Sequence, residues 1–331
     1  MLWPLSLLYG CYVSLRRFFY QKKWLSSYRS ELPVISVGNI VAGGTGKTPF
    51  TLFLAKRFHK PAILIRGYKS ALEHAACSTL VDHTSASAEM VGDEAALLAQ
   101  KLPHAMVYVG KRRRLSAKMA IEAGANCLIL DDGFQHLQIQ RDLNILLIDC
   151  TNPFSNGFLL PLGMLRESLS AMSAADVIVL TRTQNNEAAI KKTIARYSKA
   201  PVISSELLFE GFYDLSGNKV DCMPSKAALF CGIGNPGQFL DFIEKQGVEV
   251  VLHSFLQDHE KIEKSALEKL YQEAGAKGAT AVVTTEKDAI KLEKSDLPLF
   301  IARVSMKIVD QDEAQFNQIV NAALSARVSA V

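Results

Sequence analysis

From Pro33 onward, short apolar runs alternate with amphipathic helical patterns. The apolar runs are Val34–Val37, Ala62–Ile65, Ala105–Val109, Cys127–Leu130, Asn144–Ile148 and Asp176–Leu180. Several of them are apolar at consecutive positions, which is typical of strands buried on both faces of a parallel sheet. The helical patterns between them include Thr48–Phe58, Asp93–Gln100 and Arg113–Ala123. This alternation predicts a doubly wound α/β/α sandwich of the P-loop NTPase type.

The rhythm changes near Ser204–Val220, where an extended segment, Ser205–Tyr213, is followed by a polar turn. A second and smaller α/β series comes next: Ala227–Cys231, Pro236–Gln246, Glu249–Ser254, Lys261–Ala274, Ala279–Thr284, Pro298–Val304 and the helix Glu313–Ala326. The pattern predicts two lobes that are joined by a short β connection, with a cleft between them. The predicted divisions are residues 1–30, 31–204, 205–221, 222–300 and 301–331.

The first residues carry an unusual combination of apolar, aromatic and basic side chains. Met1–Leu15 is almost entirely apolar, and the stretch that follows, Arg16–Trp24, is basic and aromatic. A membrane-spanning helix needs roughly 20 apolar residues, and this run is shorter and contains Pro4 and Gly10. A signal peptide would carry its positive charges before the apolar run, and here they come after it. We expect an interfacial helix at a membrane surface; the alternative is a docked first helix with a solvated basic face.

Composition adds little to this picture. Hydrophobic residues make up 49% of the 331 residues and charged residues 21%, which is typical of a globular chain. The net charge of +4 is too small to indicate a nucleic-acid partner, and we expect none.

A glycine-rich segment links the first predicted strand to the first helix of the larger lobe. It comprises Val41, Ala42, Gly43, Gly44, Thr45, Gly46, Lys47 and Thr48. An apolar strand that runs into glycines, then Gly-Lys-Thr, then a helix is the context that a phosphate-binding loop requires. Its backbone N–H groups and Lys47 would neutralise the phosphates of ATP, and Thr48 would bind Mg²⁺. Val41 stands where the usual pattern has its first glycine, so the loop is a variant.

Acidic residues follow a neighbouring apolar run. Asp131 and Asp132 end the run Cys127–Leu130, and a P-loop enzyme needs a carboxylate near the metal at such a position. Two acids at a strand end are also common as helix caps. We favour the metal site because a P-loop is present in the same chain.

Other polar residues stand where strands end. Asp93 opens a helix and by itself would be interpreted as an N-cap. Arg66 and Tyr68 follow the second strand, and the run Lys111–Arg114 follows the third. A solvated basic turn is the ordinary interpretation of that run, although an anionic substrate would also need such charges.

The most specific motifs follow one another from about Val34 to Leu292: the glycine-rich loop, RGYK, VGDE, LDDGFQH, Pro161–Glu167, Gly232–Pro236, Asp258-His259 and Thr284–Asp288. In this order and combination they resemble the tetraacyldisaccharide 4′-kinase family of lipid A biosynthesis. The resemblance implies MgATP, a tetraacylated glucosamine disaccharide 1-phosphate as the acceptor of phosphate at its 4′-hydroxyl, and a peripheral or monotopic place at the cytoplasmic face of the bacterial inner membrane. It also implies two α/β/α lobes that are linked by a two-stranded β hinge. We also expect a monomer.

The resemblance also implies roles for single residues. Asp93 would take or orient the hydroxyl proton, His259 of the second lobe would hydrogen-bond Asp93, and Lys47 would act on the phosphates. The expected substrate contacts are Asn39, Arg66, Tyr68, Arg113, Gln135, His136, Arg166 and Glu167. Glu260 departs from the family's pattern of two histidines after the aspartate, and Met164 replaces a common proline.

Two other functions fit parts of the sequence. Asn218–Asp221 spells the NKxD string of GTP-dependent switches, but it lies in a polar turn and not after a buried strand. A membrane-bound ATPase that positions partners would suit the loop and the N-terminus, but it leaves LDDGFQH and the second lobe unexplained. The products separate these functions, because a switch yields only nucleoside diphosphate and phosphate.

Overall fold

The computed structural model describes residues 2–73, 75, 77–83, 87–183, 187–257, 260–292 and 297–328. The strands are β1 (Val34–Gly38), β2 (Pro61–Ile65), β3 (Thr79–Leu80), β4 (Met106–Val109), β5 (Cys127–Asp131), β6 (Leu143–Asp149), β7 (Val177–Thr181), β8 (Val202–Tyr213), β9 (Lys226–Cys231), β10 (Glu249–Phe255), β11 (Ala281–Thr285) and β12 (Leu299–Ile308). The helices are α1 (Trp3–Gln21), α2 (Lys47–Ala55), α3 (Ala88–Val91), α4 (Asp93–Lys101), α5 (Arg113–Glu122), α6 (Glu187–Ile194), α7 (Pro236–Lys245), α8 (Lys264–Gly275), α9 (Glu286–Ala289) and α10 (Asp310–Val328), with a 3₁₀ turn at Leu169–Ala174.

The first lobe is built on a largely parallel sheet in the order β3-β4-β2-β5-β1-β6-β7-β8, in which only β3 runs antiparallel to its neighbour. The strand β1 lies between β5 and β6, and Val37 is in register with Asp131. Because the carboxyl ends of parallel strands share one edge, the glycine-rich loop after β1 and the acids that end β5 lie side by side. The predicted α/β fold is confirmed.

Alternate residues of the central strands pack on opposite faces of the sheet. Ile35, Val37 and Ile63 join one core with the helices α2, α4 and α10, while Val34 and Leu64 join another with α5. Every residue of β1, β2 and β5 is buried, which explains why these strands are apolar at consecutive positions. The chain thus forms helices on both faces, as predicted.

One long strand connects the lobes. The start of β8 pairs with β7 in parallel, and the rest of it, from Ser205 to Tyr213, pairs antiparallel with β12. Beyond β12 the sheet continues through β11, β9 and β10, which carry α7 and α8 on their two faces. The predicted smaller lobe and two-stranded β connection are therefore present, and the residue divisions stated above remain predictions.

Some element ends differ from those predicted. Helix α2 ends at Ala55 and not at Phe58, because Arg57 and Phe58 donate backbone hydrogen bonds three residues back, which tightens the last turn. Helix α10 begins at Asp310 and not at Glu313. The carboxylate of Asp312 accepts a bond of 2.7 Å from Ser204 N, so Asp312 ties the helix to β8.

Helix α1 is held to the first lobe mainly by polar contacts, and its buried Gly10 lies against the Leu159 side chain. Ser6 Oγ donates to Leu159 O at 2.8 Å, and Tyr9 Oη donates to Arg166 O at 3.0 Å. Arg17 Nε donates to Glu167 at 2.6 Å. The large apolar side chains of this region are exposed instead: Leu2, Trp3, Leu5, Leu7, Leu8, Tyr12, Leu15, Phe18, Trp24 and Leu25. In the described part of the chain, no helix combines the length and apolar character that crossing a membrane requires.

Candidate active site

The glycine-rich loop between β1 and α2 is held in place by hydrogen bonds from three side chains. Asn39 Nδ2 donates to Val41 O at 2.6 Å and to Thr45 Oγ1 at 2.7 Å, which closes the loop on itself. From the end of β7, Thr181 Oγ1 donates to Thr45 O at 3.1 Å and Arg182 donates to Gly44 O at 2.8 Å. These bonds hold the loop while Gly43 and Gly44 stay open to solvent.

The start of α2 provides the anion-binding end of the loop. Gly46 precedes the helix at a φ of 83°, a left-handed conformation that side-chain-bearing residues rarely adopt. Lys47 and Thr48 are the first two residues of the helix, where the orphan backbone N–H groups and the helix dipole favour phosphate. Val41 is buried and Ala42 is half-buried, and Ala42 N donates to Met164 O at 2.7 Å.

Asp132 is the charge partner of Lys47. Its Oδ1 lies 3.6 Å from Lys47 Nζ, and its two oxygens accept bonds of 2.8 and 2.9 Å from Arg166. Burial opposes ionisation of this carboxyl, but Lys47 and Arg166 hold its pKa well below the ordinary value. Asp132 is therefore ionised at neutral pH and aims Lys47 and Arg166 at the mouth of the loop.

Asp131 has a different environment from its neighbour. It is buried, and its Oδ1 accepts a bond of 2.8 Å from Thr51 Oγ1. Its Oδ2 has no hydrogen-bond partner among the described residues. Burial, with the repulsion of Asp132, raises the pKa of Asp131 against the effect of the Thr51 bond. A buried carboxylate oxygen left over beside a phosphate-binding loop fits a divalent cation.

The oxygen ligands at this site fit a Mg²⁺ ion that is shared with substrate phosphates better than a metal ion that protein side chains coordinate alone. No group of three or more His, Cys, Asp or Glu side chains could hold a metal within the described ranges. Mg²⁺ typically takes one or two carboxylates together with substrate phosphates and water. Thr48 and Asp131 provide a hydroxyl and a carboxylate of that kind.

Asp93 begins α4 at the edge of the same site. It is 6% exposed, and its Oδ1 accepts a bond of 2.9 Å from Glu94 N. Burial and the nearby Asp131 raise the pKa of Glu94 to about 7, although Lys287 and Lys47 lower it. The expected partner of Asp93, His259, lies outside the described residues, as does Asp258.

Several of the expected substrate residues lie around the turn that follows Asp132. Arg113 is buried and donates to Asp132 O at 3.2 Å, and Gln135 Nε2 donates to Asn39 O at 2.8 Å. Burial, with the positive charge of Arg113 and Arg141, lowers the pKa of His136 to about 3. His136 is therefore neutral at pH 7, and its Nε2 has no hydrogen-bond partner in the described structure.

The remaining expected substrate residues divide into two groups. Arg166 contacts Asp132, and the buried Glu167 contacts Arg17 of α1, so both join the site to the first helix. Arg66 and Tyr68 are exposed at the rim, where Arg66 lies 3.7 Å from Glu73. Asn39 is fully buried and braces the phosphate loop in this structure, so contact with the acceptor remains a prediction for it.

Three residues that contact the predicted site residues were not themselves predicted from the sequence. Thr51 lies one helical turn after Thr48, and that spacing was the signal that it faces the same way. Arg182 follows β7 at the same sheet edge as the loop. Lys287, whose Nζ lies 3.7 Å from Asp93 Oδ2, belongs to the motif Thr284–Asp288, for which the sequence indicated no role.

The second lobe touches the phosphate loop directly. The turn Gly232–Pro236 follows β9, and a Cβ added at Gly234 would lie 3.1 Å from Gly44 N. Asn235 then caps α7, with its Oδ1 accepting from Gln238 N. The two lobes thus contact each other across the site.

Comparison with known proteins agrees with this geometry. The family model described as tetraacyldisaccharide-1-P 4′-kinase matches residues 1–325. Tetraacyldisaccharide 4′-kinase of Desulfotalea psychrophila is 37% identical, and the match covers 94% of this chain and 94% of the relative. The enzyme of the same name from Syntrophus aciditrophicus is 38% identical, covering 92% of this chain and 88% of the relative.

A solved structure supports the same assignment. The crystal structure of "apo" form LpxK from Aquifex aeolicus in complex with ATP is 29% identical and has a TM-score of 0.76. The match covers 98% of both chains. With the family model spanning nearly the whole chain and the phosphate loop in place, the protein belongs to the tetraacyldisaccharide-1-phosphate 4′-kinase family of ATP-dependent transferases.

Proposed function

We propose that this chain transfers the γ-phosphate of ATP to the 4′-hydroxyl of a tetraacylated glucosamine disaccharide 1-phosphate, a step of lipid A biosynthesis. The main support for this proposal is that the carboxyl ends of the neighbouring strands β1 and β5 lie side by side. The loop after β1 presents Lys47, and β5 ends in a buried carboxylate with an unused oxygen. Phosphoryl transfer depends mainly on positioning and charge, and this arrangement supplies both.

The phosphates of ATP are bound by the loop Val41–Thr48. The backbone N–H groups of Gly43, Gly44 and the first turn of α2 surround phosphate oxygens, and Lys47 contributes positive charge that develops its full effect in the transition state. Thr48 and Asp131 would hold Mg²⁺, which when bound neutralises charge on the β- and γ-phosphates. Asp132 keeps Lys47 and Arg166 aimed at the loop.

Asp93 is the group that accepts the proton of the attacking hydroxyl. Its position at the start of α4 places it at the edge of the loop, and its 6% exposure removes most of its water. An ordinary aspartate is a weak base with a pKa of ~3.9, so burial has to raise its basicity and a partner group has to orient it. Within this proposal, His259 provides that partner from the second lobe.

The acceptor lies between the turn after β5 and helix α1. Gln135 and His136 are on that turn, and Arg113 donates to Asp132 O from the start of α5. Arg166 and Glu167 connect the site to α1 through Tyr9 and Arg17. Arg66 and Tyr68 lie at the open rim. Cationic side chains suit the 1-phosphate and sugar hydroxyls of the acceptor, and the exposed apolar side chains of α1 suit its acyl chains.

The membrane surface is the proposed source of the acceptor. The exposed Trp3, Leu8 and Tyr12 of α1 would enter the lipid interface, and Lys22 and Lys23 would contact anionic headgroups. We place the protein at the cytoplasmic face of the inner membrane, bound peripherally as a monomer, with no nucleic-acid partner. ATP is available on that face.

Product analysis tests the proposal. The protein is incubated with ATP labelled at the γ-phosphate, Mg²⁺ and the disaccharide 1-phosphate in detergent micelles, and the lipids are separated by thin-layer chromatography. We expect label in a lipid with one more phosphate, formed only in the presence of acceptor. Release of labelled inorganic phosphate with no labelled lipid would contradict the proposal and favour an ATPase.

A further inference from the structure

Helix α9 is a short segment of the second lobe whose position is firmly fixed. Thr285 Oγ1 caps it by accepting from Asp288 N at 3.1 Å. Asp288 is 1% exposed, and its Oδ2 accepts from Gly232 N at 3.0 Å and from Thr285 Oγ1 at 2.7 Å. These bonds join α9 to the turn that touches the phosphate loop, so the side chains of α9 are held in a defined direction.

Two adjacent residues of α9 contact opposite ends of α4 in the first lobe. Lys287 Nζ lies 3.7 Å from Asp93 Oδ2 and 4.0 Å from Glu94 Oε1, at the start of α4. Glu286 pairs with Lys101 at the end of α4 and accepts a bond of 3.1 Å from Arg303 of β12. Glu286 and Lys287 thus each meet the opposite charge on α4, which fixes how the two elements align.

Lys287 faces a place where negative charge is costly. Asp93 is 6% exposed, Glu94 is adjacent to it, and Asp131 is close enough to raise the pKa of Glu94. Burying several carboxylates together is unfavourable unless cations accompany them. Lys47 from the first lobe and Lys287 from the second act on this cluster, and Lys287 is only 18% exposed.

We propose that Lys287 is a positioning residue of the phosphoryl-transfer site: carried in from the second lobe, it holds the Asp93 carboxylate in the orientation that accepts the hydroxyl proton. This inference rests on the proposed kinase function. It assigns the motif Thr284–Asp288 a role, since Asp288 fixes the helix, Glu286 aligns it with α4, and Lys287 reaches the acid. It also makes the site complete only when the two lobes are in contact.

A merely structural ion pair between the lobes would behave differently from a positioning residue. Loss of a structural pair lowers the stability and affects binding and turnover together. Loss of a positioning residue lowers kcat and leaves ATP binding nearly unchanged, because ATP phosphates are held by the loop in the first lobe. The kinetic split therefore separates the two roles.

The test compares Lys287→Met and Lys287→Arg with wild type in the labelled-ATP transfer assay. We expect Lys287→Met to lower kcat by ~10²-fold with less than ~3-fold change in the KM for ATP. Lys287→Arg keeps the charge and should stay within ~10-fold of wild type. Lys269→Met is the matched control, because Lys269 lies on α8 of the same lobe, pairs with Glu273 and is 77% exposed; its kcat should equal that of wild type.

A double variant shows whether Lys287 acts through Asp93. Asp93→Asn combined with Lys287→Met should be no slower than Asp93→Asn alone. Unchanged kcat in Lys287→Met, multiplicative losses in the double variant, or equal losses in the Met and Arg variants with a lowered melting temperature would each overturn the inference. Absence of lipid phosphorylation by the wild-type protein would instead contradict the proposed function, so the two failures are distinguishable.

Discussion

The two adjacent aspartates at the end of β5, Asp131 and Asp132, have different partners although they are neighbours in the sequence. Asp132 is saturated by Arg166 and Lys47, whereas Asp131 keeps a buried oxygen without a partner among the described residues. The sequence predicted that this pair serves the metal but could not separate the two, because their neighbours come from distant elements. The contacts favour Asp131 as the Mg²⁺ ligand and Asp132 as the residue that orients the cations.

This division predicts different responses to magnesium. Asp131→Asn should raise the Mg²⁺ concentration needed for half-maximal transfer by ~10-fold or more. Loss of a residue that holds a metal site typically lowers the affinity for the metal by ~10–100-fold. Asp132→Asn should lower kcat by releasing Lys47, with little change in the Mg²⁺ requirement. Magnesium titrations of both variants at saturating ATP check this; a larger Mg²⁺ effect in Asp132→Asn would reverse the assignment.

His136 predicts a pH dependence of stability. Burial lowers the pKa of His136 to about 3 from the ordinary value of 6.5, so below pH 6.5 the unfolded chain binds a proton that the folded chain does not. The free energy of unfolding should therefore decrease as pH falls from 6.5 towards 3, by at most ~1.4 kcal/mol per pH unit from this residue.

The matched variant is His136→Asn, which has no proton to gain. Urea denaturation at pH 5 and pH 7 should give a smaller difference between the two pH values for the variant than for wild type. An equal difference in both proteins would mean that His136 is not held neutral in the folded state.

At the scale of elements, helix α1 contacts the first lobe on one side, through hydrogen bonds of Ser6, Tyr9 and Arg17. Many of its large apolar side chains are exposed. The sequence left open whether this helix docks on the protein or lies at an interface. The structure gives it contacts on one side and open apolar surface on the others, which is the arrangement a peripheral membrane helix needs.

This arrangement predicts selective loss of membrane binding. The double change Leu8→Glu and Tyr12→Glu, at positions 67% and 63% exposed, should weaken binding to vesicles of phosphatidylethanolamine and phosphatidylglycerol by ~10-fold or more. Tyr197→Glu, at an exposed aromatic position after α6, is the control and should bind like wild type. Vesicle flotation measures both; undiminished binding of the double variant would place the main contact elsewhere.

The buried strands were the elements that the sequence predicted best. β1, β2 and β5 are buried along their whole length, so their apolar runs had no alternative interpretation. Short elements such as β3 and α9 were not predicted, because two to four residues carry no measurable periodicity. The loop residues Lys47 and Thr48 were predictable from local pattern alone, whereas the brace by Arg182 depends on the neighbouring strand β7.

At the scale of the whole molecule, the lobes meet where the Gly232–Pro236 turn lies over the phosphate loop. Both segments were recognisable as motifs, and a cleft was predicted. The approach of Gly234 to Gly44 was not predictable, because no local sequence pattern indicates a contact between residues 190 positions apart. A side chain at position 234 would push the lobes apart.

Gly234→Val should therefore slow turnover by ~10-fold or more and raise the KM for ATP, with little change in the free energy of unfolding, because the clash is between lobes and not within a core. Gly237→Ala is the control, since a Cβ there meets nothing within 4 Å. Steady-state kinetics and urea denaturation of both variants check this. Wild-type kinetics in Gly234→Val would mean that the two turns need not approach each other during the reaction.

The most direct measurement compares the disaccharide 1-phosphate with an analogue that lacks the 4′-hydroxyl, using γ-labelled ATP, Mg²⁺ and mixed micelles. We expect label at the 4′ position of the natural acceptor, visible as a new phosphomonoester by ³¹P NMR, and no label on the 4′-deoxy analogue. Lys47→Ala should remove most of the transfer to the natural acceptor, because the charge that Lys47 supplies in the transition state has no substitute in water. Label on the 4′-deoxy lipid, or undiminished transfer by Lys47→Ala, would contradict the proposed function.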